Sequence, residues 1–142
     1  MAVVAQLLKR KGYTAHRIEP DKQVLEAIRL MAQHGIGALL VMQGERLLGV
    51  VSERDYARKV ILKGRSSSDT AVHQIMSAPV LTVRPDQTVR ECMQLMTDKR
   101  VRHLPVLDDQ HVIGVISIGD LVRAVIEEQQ QTIEQLERYI HG

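Results

Sequence analysis

Apolar positions along the chain follow two periods, and their order repeats. Val3, Val4, Leu7 and Leu8 fall at helical spacing, and Gly12 closes that stretch. A short extended segment at 15–18 leads to Pro20-Asp21 and then to a helical face made by Val24, Ala27, Ile28, Leu30 and Met31. Two apolar runs, 38–42 and 47–52, flank Gln43-Gly44-Glu45-Arg46 and read as a hairpin. A helix carrying Tyr56, Ala57, Val60 and Ile61 follows. The same succession returns at a constant offset of 65 residues, without a gap. It comprises a lead-in at 80–83, Pro85-Asp86, a helix with Val89, Cys92, Met93, Leu95 and Met96, and strands at 103–107 and 112–117. These strands flank Asp108-Asp109-Gln110-His111, and a helix with Leu121, Val122, Val125 and Ile126 ends the unit.

Proline disfavours helix in the residue before it, so each Pro-Asp marks a boundary. Asp21 reads as a cap of the first helix. In the second copy Asp86 or Thr88 does, and Thr88 with Glu91 makes a capping-box pattern. The expected organisation is repeat one at about 14–62, a polar linker at about 63–78, repeat two at about 79–126 and a C-terminal helix at about 127–141. Residues 71–77 read as a short helix inside the linker. Ile133, Leu136 and Ile140 give the C-terminal helix an apolar stripe that needs cover. A repeat of about 47 residues has little core of its own. The expectation is therefore one α+β domain of two βαββα repeats related by a pseudo-twofold, with helices flanking both ends.

Composition narrows the function classes. Three tyrosines and no Phe or Trp leave the core to aliphatic residues and methionine, and supply no stacking platform for nucleic-acid bases. The net charge of +2 gives no electrostatic case for a nucleic-acid partner, and Lys9-Arg10-Lys11 reads as a solvated helix end. One cysteine, Cys92, rules out an internal disulfide, and the cytoplasm is the expected compartment. Residues 1–12 lack the apolar core of a secretory signal, and no apolar run nears the roughly 18 residues of a membrane span. The six histidines show no His-x-x-x-His spacing, so no metal is expected. Cys92 reads as a buried small hydrophobe, and Ser66-Ser67-Ser68 as linker. With no nucleophile elbow, Walker loop or Gly-x-Gly-x-x-Gly, no enzymatic activity is expected.

The distinctive motif is a corner, present twice: Gly49-Val50-Val51-Ser52-Glu53-Arg54-Asp55 and Gly114-Val115-Ile116-Ser117-Ile118-Gly119-Asp120. In each, an apolar strand ends at Ser and a helix opens with Asp three residues on. The simpler reading is a helix cap, with Ser and the acid bonding each other's backbone N–H. The functional reading uses the same geometry. A helix N-terminus suits an anion, and a carboxylate beside it suits the two hydroxyls of a ribose.

The gapless repeat, both Ser-x-x-Asp corners and the His103-Leu104-Pro105-Val106 strand resemble tandem cystathionine-β-synthase (CBS) domains, the pair often called a Bateman module. The resemblance covers about residues 14–126. It implies two clefts between the repeats that take adenosine ligands: AMP, ADP, ATP, NAD or S-adenosylmethionine. It implies that Asp120 holds a ribose diol and Ser117 the ribose or phosphate edge. Thr82 and the backbone of Arg102, His103, Leu104 and Pro105 would frame the adenine. Arg17, Gly37, Ala38, Leu39, Ser52 and Asp55 are the matching positions of the other cleft.

The second-repeat site fits the family pattern better, because Pro105 is matched by Leu40, His103 by Ala38, Thr82 by Arg17 and Gly119 by Arg54. Arg17 either crowds the first cleft or binds phosphate there. Arg54 is either a phosphate contact or a solvated arginine at a helix start. The resemblance implies an adenine-nucleotide sensor that modulates a protein partner yet to be identified, with a homodimer built on the terminal helices. The alternative is a constitutive dimeric scaffold whose nucleotide clefts are vestigial.

Overall fold

The computed structural model describes residues 2–141, and the chain in it forms two compact units. One comprises residues 15–81. The other joins the segment up to Thr14 with everything from Thr82 onward. Each unit is therefore one repeat plus the segment that precedes the other repeat in sequence.

In the first unit, β1 (Arg17–Ile18) runs parallel to β2 (Ala38–Gln43), which pairs antiparallel with β3 (Arg46–Ser52). Helix α2 (Val24–His34) presents Val24, Ala27 and Met31 to a core that includes Ile18, Leu39, Val41, Val51 and Val60. Gly35 ends α2 in the left-handed region at φ 63°, where its N–H bonds the last turn. The corner helix α3 (Glu53–Tyr56) continues into a π-type turn at Ala57–Ile61. Of the four residues expected to face inward here, Val60 is buried, Tyr56 is half-buried, and Ala57 and Ile61 are exposed.

In the second unit, β4 (His103–Asp108) and β5 (His111–Ser117) make a two-stranded hairpin beside α4 (Val89–Lys99). Asp109 and Gln110 both take positive φ, as a two-residue type I′ hairpin turn requires. The expected lead-in strand at 80–83 reduces to one bridge, Val83 beside Val106, because Pro79 and Pro85 bracket it and donate no N–H. The last helix of the repeat and the C-terminal helix are one continuous α5 (Ile118–His141), since no Gly or Pro interrupts it past its first turn. Its buried residues all lie in that turn, so Ile133, Leu136 and Ile140 are exposed.

One expected cap is corrected, and of the two offered for the second repeat Thr88 is the one observed. Gln23, not Asp21, is the cap position of α2, and it makes no side-chain bond. The freed N–H groups of Val24 and Leu25 instead donate to Thr70 O (2.9 Å) and Ser67 O (3.0 Å). The linker is thus a structural part of the first unit rather than a solvated tether, and its helix shortens to a 3₁₀ turn at Val72–Gln74. In the second unit Thr88 caps α4, accepting from Glu91 N at 3.1 Å, and Val89 N donates to Ala2 O at 2.9 Å.

The two preceding segments do the same work. Helix α1 (Val4–Lys11) buries Val4, Leu7 and Leu8 against the second repeat, as the linker buries Val72 and Ile75 against the first. Val3 bridges Thr88, and Ala71 bridges Gln23. Gln6 Oε1 accepts from Val3 N (2.9 Å), and Gln74 Oε1 from Ala71 N (2.8 Å). The sequences agree once this is seen: Val4-Ala5-Gln6-Leu7-Leu8 matches Val72-His73-Gln74-Ile75-Met76 at an offset of 68. Both segments press on the hairpin at a glycine, Gly114 beneath Leu8 and Gly49 beneath Met76.

These contacts make opposite predictions for two glycines. A Cβ at Gly49 would lie 2.6 Å from Met76 Sδ and 3.0 Å from the Ser77 carbonyl oxygen, and that backbone cannot swing aside. Gly49→Ala should cost about 1–3 kcal/mol in denaturant unfolding. A Cβ at Gly119, in the first turn of α5, meets nothing nearer than 3.7 Å. Gly119→Ala should be neutral or stabilising by up to about 1 kcal/mol.

Candidate functional site

Each strand–helix corner holds a buried carboxylate. Asp55 and Asp120 are both 8% exposed, and with Thr70 they are the buried polar residues of the described chain. The caps form as the simpler sequence reading expects. Ser52 Oγ accepts from Asp55 N at 3.1 Å, while Asp55 Oδ2 accepts from Ser52 N and Ser52 Oγ, both at 3.0 Å. In the second unit, Ser117 Oγ accepts from Asp120 N at 3.3 Å. Asp120 Oδ2 accepts from Ser117 N at 2.8 Å and from Ser117 Oγ at 3.0 Å. The residue before each hairpin is tied in as well, through Glu53 N to Gly37 O (3.0 Å) and Ile118 N to Arg102 O (2.9 Å).

A cap does not require the charges that surround these carboxylates. Asp55 Oδ1 lies 3.1 Å from Lys59 Nζ and accepts from Ser77 Oγ at 3.2 Å. Asp120 Oδ1 accepts from Arg123 at 2.8 Å, and its Oδ2 lies 2.6 Å from Lys11 Nζ. Each lysine also holds a backbone carbonyl, Lys59 that of Ile75 (2.9 Å) and Lys11 that of Val115 (2.6 Å). Burial pushes the Asp120 carboxyl up, but hydrogen bonds from Lys11 and Ser117 and the Lys11 charge outweigh it and leave the pKa below its ordinary value. His103 sits opposite Ser117 in the hairpin register. Burial first, then the Lys11 cation, lower its pKa, so its ring is neutral at pH 7.

The remaining expected residues divide clearly. Ala38 pairs with Ser52 at the mouth of the first hairpin, as His103 does with Ser117. Leu39 and Leu104 are buried in the cores, which leaves only their backbone for a ligand. Pro105 has no N–H, and its carbonyl accepts from Val83 N at 3.0 Å, so its backbone has no donor to offer adenine. Thr82 is exposed, one residue before that bond. The Arg17 guanidinium is directed to the Gly44 carbonyl, at the turn end of the hairpin and away from Ser52 and Asp55. Arg54 is exposed in the first turn of α3, immediately before Asp55.

Lys11 is the site residue that the sequence reading passed over. It lies outside the repeat, in a run read as a solvated helix end. The signal that would have found it is the Val-x-Gln-Leu/Ile match, which assigns α1 to the second unit. Cys92 is fully buried, and burial pushes its thiol up to about 11, which makes it unreactive. Among the described residues, no group of three His, Cys, Asp or Glu side chains could hold a metal, and no helix is long and apolar enough to cross a membrane. An open groove of about 300 Å³ runs between α1 and α5. It is lined by Gln6, Arg10, Ala124 and Glu127 among others, contains none of the expected site residues and is spanned by the Arg10–Glu127 ion pair.

The Asp120 pKa is held below its ordinary value, so the stability it contributes is fully present above the ordinary aspartate pKa and lost as pH falls through the lowered folded one. A carbon-detected NMR titration should show the Asp120 midpoint rising in Lys11→Met. An unchanged midpoint would mean that the contact carries no charge coupling.

Comparison with known proteins gives concordant matches. A protein-family model described as "CBS domain" matches residues 13–62 and 72–127. The CBS domain-containing protein CBSX3, mitochondrial, of Arabidopsis thaliana is 43% identical over 98% of this chain and 72% of its own length. A solved protein with CBS domains from Burkholderia ambifaria MC40-6 is 53% identical, with a TM-score of 0.87 over 90% of this chain and 96% of that one. The CBS domain pair of protein MJ0100, solved with 5′-methylthioadenosine and S-adenosyl-L-methionine, shares the fold. It is 20% identical, with a TM-score of 0.79 over 90% of this chain and 98% of that one. The name of the plant relative places that relative in the mitochondrion, so likeness of sequence does not fix a compartment.

Proposed function

Because the chain belongs to the CBS domain family and carries two copies of the domain, we propose that it is a regulatory module that binds an adenosine-containing ligand. The ligand would be AMP, ADP, ATP or NAD, and its binding would alter affinity for a protein partner. The observation that carries this reading is the Asp120 corner. A buried carboxylate there sits on a helix N-terminus with the Ser117 hydroxyl beside it and two cations, Lys11 and Arg123, around it. The carboxylate accepts from a ribose diol, and the cations suit a phosphate. The binding of 5′-methylthioadenosine and S-adenosyl-L-methionine by the MJ0100 domain pair supports the adenosine class. Asp55, with Ser52, is the corresponding acceptor in the first unit. The single buried Cys92 fits a reducing compartment such as the cytoplasm.

A second reading, a constitutive scaffold, is favoured by one observation. Both carboxylates are already paired by lysines of the chain itself. Binding separates the two readings. Asp120→Ala should weaken AMP binding by at least about tenfold, or about 1.4 kcal/mol. A 2′-deoxy analogue should lose much of the same energy. Equal calorimetric affinities for AMP and deoxy-AMP would remove the diol assignment. No adenosine-ligand binding at millimolar concentration would favour the scaffold.

Self-association follows from α5. Ile126, Ile133, Leu136 and Ile140 are all exposed and lie at the a and d spacing of a heptad on one helix. A two-fold dimer covers such a stripe by using the same patch twice. We infer a homodimer of about 32 kDa, twice the 16.0 kDa chain. Light scattering at tens of micromolar should report that mass, and deleting residues 128–142 should reduce it. A 16.0 kDa particle for the full chain would overturn the dimer.

A further inference from the structure

Lys11 belongs to neither repeat, yet its ammonium sits on the carboxylate to which the proposed function assigns the ribose. Asp120 Oδ2 receives three donors: Ser117 N at 2.8 Å, Ser117 Oγ at 3.0 Å and Lys11 Nζ at 2.6 Å. A carboxylate offers about four acceptor positions over both oxygens. Arg123 takes another position, on Oδ1. A ribose diol reaching Oδ2 must therefore replace a donor.

The three donors on Oδ2 are not equally replaceable. Ser117 N and Oγ are part of the reciprocal cap at the first turn of α5, and losing them removes that cap. Lys11 is the last residue of an eight-residue helix, and its side chain is 36% exposed against 8% for Asp120. Gly12, at φ 106°, follows it and ends α1. Of the three donors on Oδ2, Lys11 is the one that can leave with that cap intact.

Its departure would be felt in α1. The ammonium joins the end of α1 both to Asp120 and to the Val115 carbonyl on β5, whereas the start of α1 is held by Val4 N to Gln87 O and Ala5 N to Pro85 O, each at 2.9 Å. The first unit lacks this arrangement. There the preceding segment gives Asp55 a neutral donor, the Ser77 hydroxyl, and the cation Lys59 comes from the repeat itself.

We propose that Lys11 is an intramolecular latch on the second-repeat site. A ribose diol binding Asp120 displaces the Lys11 ammonium, so occupancy of the site loosens the last turn of α1. The proposal rests on the adenosine reading of this corner and adds to it a competitor and a moving part. Ligand occupancy is thereby reported at a helix outside the repeats, and only from one of the two corners.

The test uses the full chain and adenosine, which lacks a phosphate that Lys11 could bind. Lys11→Met should bind adenosine at least about threefold tighter than wild type by calorimetry, because the competing donor is gone. Lys11→Arg, which keeps a cation, should stay weaker than Lys11→Met. Saturating adenosine should speed amide exchange at residues 10–12 of the wild type by at least about threefold, and Lys11→Met should show that faster exchange without ligand. Equal or weaker adenosine binding by Lys11→Met overturns the latch, since Lys11 would then be a bystander or a ligand contact. Protection of residues 10–12 by adenosine overturns it as well. If neither protein binds adenosine, the proposed function fails and the competition fails with it. The ligand-free exchange of Lys11→Met still decides whether the Lys11–Asp120 contact restrains α1.

Discussion

The structure depends on how the N-terminus of one helix in each repeat is satisfied. An α-helix leaves its first N–H groups without partners inside the helix. In α2 no side chain caps them, and the Thr70 and Ser67 carbonyls accept them instead. In α4 the Thr88 hydroxyl and the Ala2 carbonyl do so. In both units those carbonyls come from the segment preceding the other repeat. The same segment then drives Val72 and Ile75, or Val4 and Leu8, into the core. A repeat of this size cannot bury enough apolar surface by itself. The borrowed segment closes its core and its backbone hydrogen bonding together.

This arrangement places the site. Each borrowed segment reaches the corner where strand becomes helix, and there meets the buried aspartate. Ser77 reaches Asp55 and Lys11 reaches Asp120. The two corners share a cap and a carboxylate but differ in the charge brought by the segment, a hydroxyl in one and an ammonium in the other. A duplicated fold whose corners share the same cap bonds thus gains chemical asymmetry from residues that the repeat alignment does not contain.

The repeat itself was legible because a gapless offset keeps Pro20/Pro85, Gly49/Gly114, Ser52/Ser117 and Asp55/Asp120 in step. These positions carry backbone constraints that few residues meet, and the hairpins and corner caps followed from them. The borrowed segments were not legible in the same way. Their offset is 68 rather than 65, so the alignment ends before reaching them, and a three-residue difference separates Gln6 from Gln74 in the count. The Asp21 cap failed because a tertiary contact replaced the local one: Thr70 and Ser67 carbonyls do what a side chain was expected to do. The repeat's last helix and the C-terminal helix are one α5 because it changes from buried to exposed without a helix-breaking residue. Arg17 could not be placed from sequence because its length lets it reach either end of the hairpin, and the structure selects the Gly44 end.

The central claim is that the Asp120 corner is the place where an adenosine ligand is recognised. Titrating the isotopically labelled chain with AMP and following backbone amide shifts tests it directly. The account predicts saturable shifts, largest at residues 115–121 and at residues 9–12, with the Asp120→Ala variant showing neither. Saturable shifts confined to the groove between α1 and α5, or shifts unaltered by Asp120→Ala, would contradict it.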